Sequence, residues 1–272
     1  MFKTRCISAV FLVVIALGAL LAGGPVLAAI LFVISIIAFR ELSIACKVHS
    51  EKTVNAIEMV GYLGITALYL FVYFGVQEIF FALWFVLFFL ALLFVYVFTF
   101  PKYQASQVMT TFFCVCYAPV MFAFIYLTRE TTYGIYLVFM VFISSWISDT
   151  FAYLTGMSIG RHKLAPVLSP KKSIEGSIGG IAGAALVGAL YGYYLSVNVM
   201  HNTEIIWISA IIGGVGSVFS QLGDLAASAI KRNQDIKDYG KLIPGHGGIM
   251  DRFDSVIVTA PMIYFLTVLL VK

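Results

Sequence analysis

Apolar runs of membrane-spanning length fill most of this 272-residue chain, and they constrain its fold more than any other feature. About 20 apolar residues suffice to cross a bilayer as a helix. In lipid the backbone must satisfy its own hydrogen bonds, so helices are the expected structure. The chain is therefore predicted to be an all-α polytopic integral membrane protein. We predict nine spans, at residues 6–24, 25–39, 57–74, 79–100, 107–127, 133–155, 177–197, 205–229 and 254–271.

The composition excludes a soluble domain with one large core, because 61% of the residues are hydrophobic and only 11% are charged. A soluble domain has roughly a quarter charged residues. The second run is short, and the first two runs can equally form one helical hairpin turned at Gly23, Gly24 and Pro25. Lys3 and Arg5 before the first run resemble a signal peptide, but the next apolar run follows at once, which favours an uncleaved helix.

The positions of the basic residues predict the orientation of the chain, since cytoplasmic loops are enriched in Lys and Arg. With nine spans and a cytoplasmic N-terminus, 15 of the 17 lysines and arginines fall on the cytoplasmic side, and only Arg129 and Lys272 fall on the other. The net charge of +4 follows from this bias and does not indicate a nucleic acid partner. With no soluble extension, we expect a bacterial plasma membrane protein.

The chain changes in character near its middle. Residues 1–130 hold five apolar runs with almost no charge inside them, and Glu58 at the start of one of them is interpreted as an interfacial or capping carboxylate. Residues 131–272 carry polar stripes and two charged loops, at 157–176 and 230–253. We predict one membrane domain, 1–272, with a scaffold in its first half and catalysis in its second. The four cysteines show no metal or disulfide spacing.

The sixth run places a carboxylate inside a span. Ser145 and Asp149 are four residues apart, and Tyr153 and Gly156 continue the same helix face. Carboxylates inside a membrane usually face the bundle interior and have a partner. Asp149 is either a residue that joins helices or caps a loop, or, as we favour, a functional one.

The loop after this run contains adjacent lysines, Lys171 and Lys172, before Ser173, which can cap the next helix. The N-terminus of a helix favours an anion, because its N–H groups are unpaired and its dipole is positive there. Basic loop residues also serve the cytoplasmic bias or touch anionic lipid. The pattern alone indicates phosphate binding only weakly.

The eighth run carries one polar stripe, formed by Ser217, Gln221, Asp224 and Ser228. Asp251 follows 27 residues after Asp224, and Asp254 lies three residues further on the first turn of the last helix. We predict that Asp224 and Asp251 meet across a cytoplasmic pocket. Mg²⁺ is commonly held by one or two carboxylates, with substrate phosphates and water completing its shell.

The segment between these acids, within residues 228–254, combines cations, carboxylates and glycines at a membrane edge. Glycines bring backbone N–H groups close to a ligand. Such a combination suits a polyphosphate with its divalent metal. The residues concerned are Lys231, Arg232, Lys237, Lys241, Asp238, Gly245, His246, Gly247, Gly248, Asp251 and Asp254.

These residues resemble the signature of the CDP-diacylglycerol synthase (phosphatidate cytidylyltransferase) family. The specific resemblance covers roughly residues 140–272, whereas residues 1–130 match only as generic membrane helices. Ser173 stands where threonine is frequent in the family, which keeps the hydroxyl. The signature is met without departure by Ser228, Ile230, Lys231, Arg232, Lys237, Asp238, Gly240, Ile243, Pro244, His246, Gly247, Gly248, Ile249, Asp251, Arg252, Phe253 and Asp254.

The resemblance implies an enzyme that joins CTP and phosphatidic acid to give CDP-diacylglycerol and pyrophosphate. It implies Asp224 and Asp251 as ligands of Mg²⁺, with Asp254 as a further ligand and K⁺ as a second ion. His246 would orient the substrate rather than act as a base. The residues expected to bind the phosphate groups are Lys171, Lys172, Lys231, Arg232 and Arg252. Further substrate-binding candidates are Asp149, Ser228, Lys237, Asp238, Gly247 and Gly248.

The other expected partners are the lipid bilayer and, as an open possibility, a second copy in a homodimer. A CTP-dependent lipid kinase is the nearest alternative function, and it would release CDP instead of pyrophosphate. A CDP-alcohol phosphotransferase is disfavoured, because Asp254 is followed by Ser255 and not by glycine. A transporter or channel is the alternative from another class, since acids inside a membrane also mark ion paths.

Overall fold

The structure is a computed structural model that describes residues 13–49, 53–75, 78–242 and 247–271. In these ranges eight helices are long and apolar enough to span a membrane, and one apolar helix is shorter. This confirms the predicted all-α polytopic membrane fold. The helices are α1 Val13–Ala22, α2 Gly24–Ala45, α3 Ala56–Tyr73, α4 Glu78–Phe98, α5 Ala105–Arg129, α6 Gly134–Ile159, α7 Ile174–Met200, α8 Glu204–Asn233 and α9 Met250–Leu270.

The first two helices are separated at Gly23, whose φ of 62° suits a glycine. The second apolar run was predicted to end at residue 39. This boundary is wrong, since α2 is 22 residues long and ends at Ala45. The extension carries Glu41 within the helix, where the side chain is 8% exposed. The prediction ended the helix where charged residues begin. Charged groups can, however, lie within a buried helix when they have hydrogen-bond partners.

The start of α3 is fixed by a capping box. Asn55 Oδ1 accepts from the N–H of Glu58 at 2.8 Å, and Glu58 Oε2 accepts from the N–H of Asn55 at 3.1 Å. Glu58 is fully buried and also lies 2.9 Å from His49 Nδ1. The predicted capping role of Glu58 is therefore confirmed.

The chain divides into two compact units, and each is internally well packed. The first comprises Met1–Tyr126 with Ile236–Arg252, and the second comprises Leu127–Asp235 with Phe253–Lys272. Residues 236–252, which carry most of the signature, thus group with the N-terminal helices. The prediction of one membrane domain with a catalytic second half stays a prediction.

In the first unit, aromatic side chains fill the spaces left by glycines on α3. The ring of Phe39 from α2 lies where a Cβ on Gly61 would be, at 2.4 Å, and Phe88 from α4 does the same at Gly64, at 2.6 Å. Trp84 Nε1 donates to the carbonyl of Gly64 at 2.9 Å. These contacts pack α2 and α4 against α3, because a side chain at either glycine would collide with a ring.

In the second unit, α7 and α8 approach each other at glycines along most of their length. A Cβ on Gly188 would lie 2.5 Å from the carbonyl oxygen of Ser209, and one on Gly213 would lie 2.4 Å from that of Ala184. Small residues permit this close packing of helices in membranes. The close approach places polar side chains of α6, α7 and α8 within hydrogen-bond reach of one another.

Two features of the second unit were not predicted. Residues 157–176, expected to be a loop, contain an antiparallel hairpin of β1 Lys163–Ala165 and β2 Ser169–Ser173. Helix α6 contains a π-helical turn at Ile143–Ile147, just before Asp149. Such turns insert an extra residue and shift the faces of the helix around them.

Candidate active site

A cavity of about 290 Å³, lined by both polar and apolar side chains, lies in the second unit and gathers several predicted site residues. It is formed by the end of α6, the β-hairpin, the start of α7 and the polar stripe of α8. Its polar lining residues are Asp149, Lys171, Lys172, Ser173, Ser177 and Gln221. Its apolar lining residues include Ala152, Tyr153, Met157 and Leu164.

The charged centre of this unit is an ion pair between Lys172 Nζ and Asp224 Oδ2, whose side chains are 24% and 29% exposed. Asp149 is close enough to interact electrostatically with both Lys172 and Asp224. Asp254 interacts in the same way with Asp224, Asp149 and Lys231. Three predicted acids and two predicted lysines therefore belong to one electrostatic cluster.

The packing of α8 against α9 explains why Asp224 and Asp254 are neighbours. A Cβ on Gly223 would lie 2.7 Å from the carbonyl oxygen of Asp254 and 3.1 Å from Cβ of Val258. Glycine at this position lets the two helices touch next to both carboxylates. The family resemblance gave Asp254 only as a further ligand, and the structure brings it directly to Asp224.

A buried hydrogen-bond network lies beside the cavity. Ser177 Oγ donates to Gln221 Oε1, and Gln221 Nε2 donates to the carbonyl oxygen of Ser177 at 3.1 Å. Ser217 Oγ donates to Ser148 Oγ at 2.7 Å, and Gln221 Nε2 lies 3.4 Å from both hydroxyls. Since Gln221 is bonded at both ends of its amide, the network fixes one rotamer one turn before Asp224.

The hairpin that carries Lys171 and Lys172 is tied to the start of α7. Ser173 Oγ accepts from the N–H of Gly176 at 3.1 Å, which confirms the predicted cap. Glu175 accepts from the N–H groups of Arg161 and His162 at 3.1 and 3.2 Å, and His162 Nδ1 lies 2.6 Å from its Oε1. The two lysines therefore sit on an anchored strand next to a helix N-terminus.

The face predicted for α6 is only partly observed. Asp149, Tyr153 and Gly156 line the cavity together, as the spacing indicated. Ser145 is fully buried and donates to the carbonyl oxygen of Val141 at 2.8 Å. Ser145 lies in the π-helical turn, which shifts the helix faces. Residues four apart across this turn, such as Ser145 and Asp149, therefore do not share a face.

In the first unit, Asp251 is held at the start of α9 by backbone groups. Its Oδ2 accepts from the N–H of Tyr239 at 2.8 Å and from that of Gly248 at 3.0 Å, and the side chain is 7% exposed. Gly247, with a φ of 85°, makes the turn into this arrangement. Asp251 thus has a fixed position, as a predicted metal ligand would need.

Sequence reasoning missed Glu41, which contacts the same turn. Its Oε1 accepts from the N–H of Ile249 at 3.1 Å, and its Oε2 accepts from the N–H of Met250 at 2.9 Å. The sequence did contain an indication of its role, since a carboxylate at the end of an apolar run usually has a partner. It was overlooked because the predicted helix ended at residue 39, two residues before Glu41, whereas α2 ends at Ala45.

The remaining predicted residues that the structure describes differ in their exposure. Arg232, Lys237, Asp238 and Arg252 are exposed, while Ser228 and Lys231 are partly buried on α8. His246 lies outside the described residues, as do Ile243, Pro244 and Gly245 of the signature. Its predicted orienting role stays a prediction.

Within the described ranges, no group of three or more His, Cys, Asp and Glu side chains is arranged to hold a metal ion alone. Mg²⁺ usually takes one or two carboxylates and completes its shell with phosphates and water. The cluster of Asp149, Asp224 and Asp254 supplies carboxyl oxygens next to two lysines. These residues are chemically suited to such an ion.

Comparison with known proteins places these features in a family. Residues 3–270 match the cytidylyltransferase family. A protein named phosphatidate cytidylyltransferase from Staphylococcus aureus (strain COL) is 33% identical over 271 residues, or 98% of this chain and 99% of the relative. Proteins of the same name from Staphylococcus saprophyticus and Staphylococcus haemolyticus are 31% identical over 271 residues (98% and 99%) and 38% identical over 154 residues (57% and 56%).

Proposed function

The chain belongs to the cytidylyltransferase family, and we propose that it transfers the cytidylyl group of CTP to phosphatidic acid. The products are CDP-diacylglycerol and pyrophosphate. The name shared by relatives that span nearly the whole chain supports this reaction. The observation that carries the proposal is the cavity of the second unit, which is lined by Lys171, Lys172 and Asp149 together with apolar side chains.

In this reaction an oxygen of the lipid phosphate attacks the α-phosphorus of CTP. The bond from the α-phosphorus to the bridging oxygen breaks, and pyrophosphate leaves with the electron pair. Both reactants are anions, so their repulsion is the main obstacle. No general base is required, because the attacking phosphate is already ionised.

Lys171 and Lys172 are suited to hold phosphate, since they sit next to the N-terminus of α7, where the dipole also favours an anion. The ion pair with Asp224 keeps Lys172 in place before substrate arrives. Lys231 belongs to the same cluster, and we assign phosphate binding also to Arg232 and Arg252, which are exposed cations. Arg232 and Arg252 remain our proposals on chemistry alone.

We assign a magnesium ion to Asp224, with Asp254 and Asp149 as neighbouring carboxylates. When bound, this ion would neutralise the phosphate charge that builds up during transfer. Asp251 as a second ligand, and K⁺ as a second ion, are parts of the same proposal. Its experimental signature is loss of activity in EDTA and recovery on adding excess Mg²⁺.

The apolar lining residues support a lipid substrate. Tyr153 and Met157 are 68% and 66% exposed and lie on the same helix as Asp149. In a bilayer such side chains face acyl chains, so the phosphate of a lipid can reach Lys171 and Lys172 while its chains stay in the membrane. The bias of basic residues supports a site on the cytoplasmic side, and the homodimer stays a prediction.

The test is pyrophosphate release by the purified protein in mixed micelles, with CTP, phosphatidic acid and Mg²⁺ each omitted in turn. We expect release only when all three are present, together with a cytidine-labelled lipid. CDP release with a lipid alcohol would instead identify a CTP-dependent lipid kinase. Flux of ions across vesicles without CTP turnover would identify a transporter, and either result would overturn the proposal.

A further inference from the structure

The first unit contains a carboxylate that binds the start of the last helix from far away in sequence. Glu41 near the end of α2 accepts the N–H groups of Ile249 and Met250, 208 and 209 residues later. Hydrogen bonds of this kind, from backbone N–H to an ionised carboxylate, are about twice as strong as neutral ones. The side chain is 8% exposed, so water competes little for these bonds.

The surrounding backbone is shaped to fit this carboxylate. A Cβ on Gly240 would lie 2.3 Å from Glu41 Oε1, and a Cβ on Gly248 would lie 2.4 Å from both oxygens. Neither glycine has a positive φ, so alanine is compatible with the backbone at both positions. The carboxylate itself is therefore what excludes a larger residue there.

Glu41 and Asp251 divide the N–H groups of one turn between them. Asp251 takes the N–H of Gly248, and Glu41 takes those of the next two residues. The two acids are close enough to repel each other. Two neighbouring acids are tolerated in a buried place only when enough donors face them. Moving Glu41 would thus free the turn from which Asp251 projects.

We propose that Glu41 is a positioning residue for cytidylyl transfer, which holds residues 247–251 so that Asp251 stands in its working position. This inference rests on the proposed function, because Glu41 acts through Asp251. It contacts neither substrate nor metal in this role. A displacement of about 1 Å at a catalytic group can lower the rate about 100-fold, so the loss of Glu41 should reduce kcat more than substrate binding.

The first variant is Glu41→Gln, which keeps the shape but turns an NH₂ group towards one of the two N–H donors. We expect a fall in kcat of about 10- to 100-fold, with KM for CTP and phosphatidic acid changed less than about threefold. Glu58→Gln is the matched control, since it removes another buried carboxylate of the first unit that caps α3. This control should keep the wild-type kcat even if its melting temperature falls.

A second pair of variants tests the steric fit. Gly240→Ala alone should lower kcat, because the new methyl group displaces the Glu41 carboxylate. In a Glu41→Ala background the same change should have little further effect, since the colliding atoms are gone. Fully additive losses in the double variant would overturn the proposal, as would wild-type kcat in Glu41→Gln.

Hydrogen exchange of the peptide covering residues 247–251 gives a readout that does not depend on turnover. Exchange should be faster in Glu41→Gln and unchanged in Glu58→Gln. Unchanged exchange in Glu41→Gln would overturn the inference, even if the wild-type protein is active as proposed. If the wild-type protein makes no CDP-diacylglycerol, the proposed function fails, and so does the catalytic role given to Glu41. Exchange then still shows whether Glu41 holds the turn.

Discussion

Replacement of Asp224 by asparagine should abolish most of the activity while leaving the protein folded. Asp224 forms the ion pair with Lys172 and interacts with Asp149 and Asp254. Asparagine has nearly the same shape but lacks the charge that would hold Mg²⁺. The variant therefore removes the charge of the carboxylate while keeping the packing of the side chain.

The expected loss of stability is small because the Lys172–Asp224 pair is partly exposed, at 24% and 29%. Such a pair contributes about 1 kcal/mol, and Asp149 remains near Lys172 after the change. Repulsion of Asp224 from Asp149 and Asp254 also disappears. The melting temperature should then change by no more than about 4 °C.

The expected loss of activity is much larger. A bound metal stabilises charge in the transition state by several kcal/mol. Losing about 4 kcal/mol of this stabilisation corresponds to about a 1000-fold fall in kcat. The two quantities therefore differ enough to be measured separately in one preparation.

The assay is initial-rate pyrophosphate release in mixed micelles over a range of Mg²⁺ concentrations, with thermal unfolding in the same detergent. Glu204→Gln is the control, since it makes the same chemical change at an exposed position in the first turn of α8. A kcat for Asp224→Asn within about threefold of wild type would refute the metal assignment. A loss of activity that parallels a large fall in melting temperature would refute the separation of roles.

Three further predictions follow from individual contacts. Asp251→Asn should lower kcat at least about 100-fold with an unchanged melting temperature, because an amide oxygen can still accept from Tyr239 and Gly248; near-wild-type turnover would contradict the ligand role. Ser173→Ala should cost about 1 kcal/mol of unfolding free energy, whereas Ser173→Thr should not, and equal stabilities in chemical denaturation would show that the cap is unimportant. Gly213→Ala should destabilise the protein by about 1–3 kcal/mol, because its new Cβ would collide with the carbonyl oxygen of Ala184. In the same experiment Gly214→Ala should have a stability near wild type, since its new Cβ would contact only a methyl group, at 3.4 Å.

Local patterns in the sequence predicted the all-α membrane fold and the helix face shared by several candidate site residues. The hydropathy of the runs depends only on nearby residues, and the spacing of Ser217, Gln221 and Asp224 follows the helix period. These three residues do lie along one side of α8, in the network and the ion pair. The cap at Ser173 was also readable, because capping depends on a few neighbouring positions.

Contacts between distant segments were not predictable in this way. No local signal pairs Glu41 with residues 249 and 250, since their meeting depends on how α2 packs with the segment before α9. The partners of Gln221 on α6 and α7 depend equally on the approach of three helices. The π-helical turn before Asp149 was also not predicted, because it changes the helix period on which predictions from residue spacing depend.

The hydroxyl of Ser173 has a consequence for how this sequence can change over evolutionary time. It lies 3.0 Å from where a Cβ on Gly156 would be, and it is the nearest atom there. A change of Gly156 to alanine should thus become acceptable once the hydroxyl is lost. At Gly160 and Gly176 the nearest atoms are backbone carbonyl oxygens, at 2.3 and 2.7 Å. Those two glycines have no such compensating partner, so among these three the order in which substitutions arise matters only at Gly156.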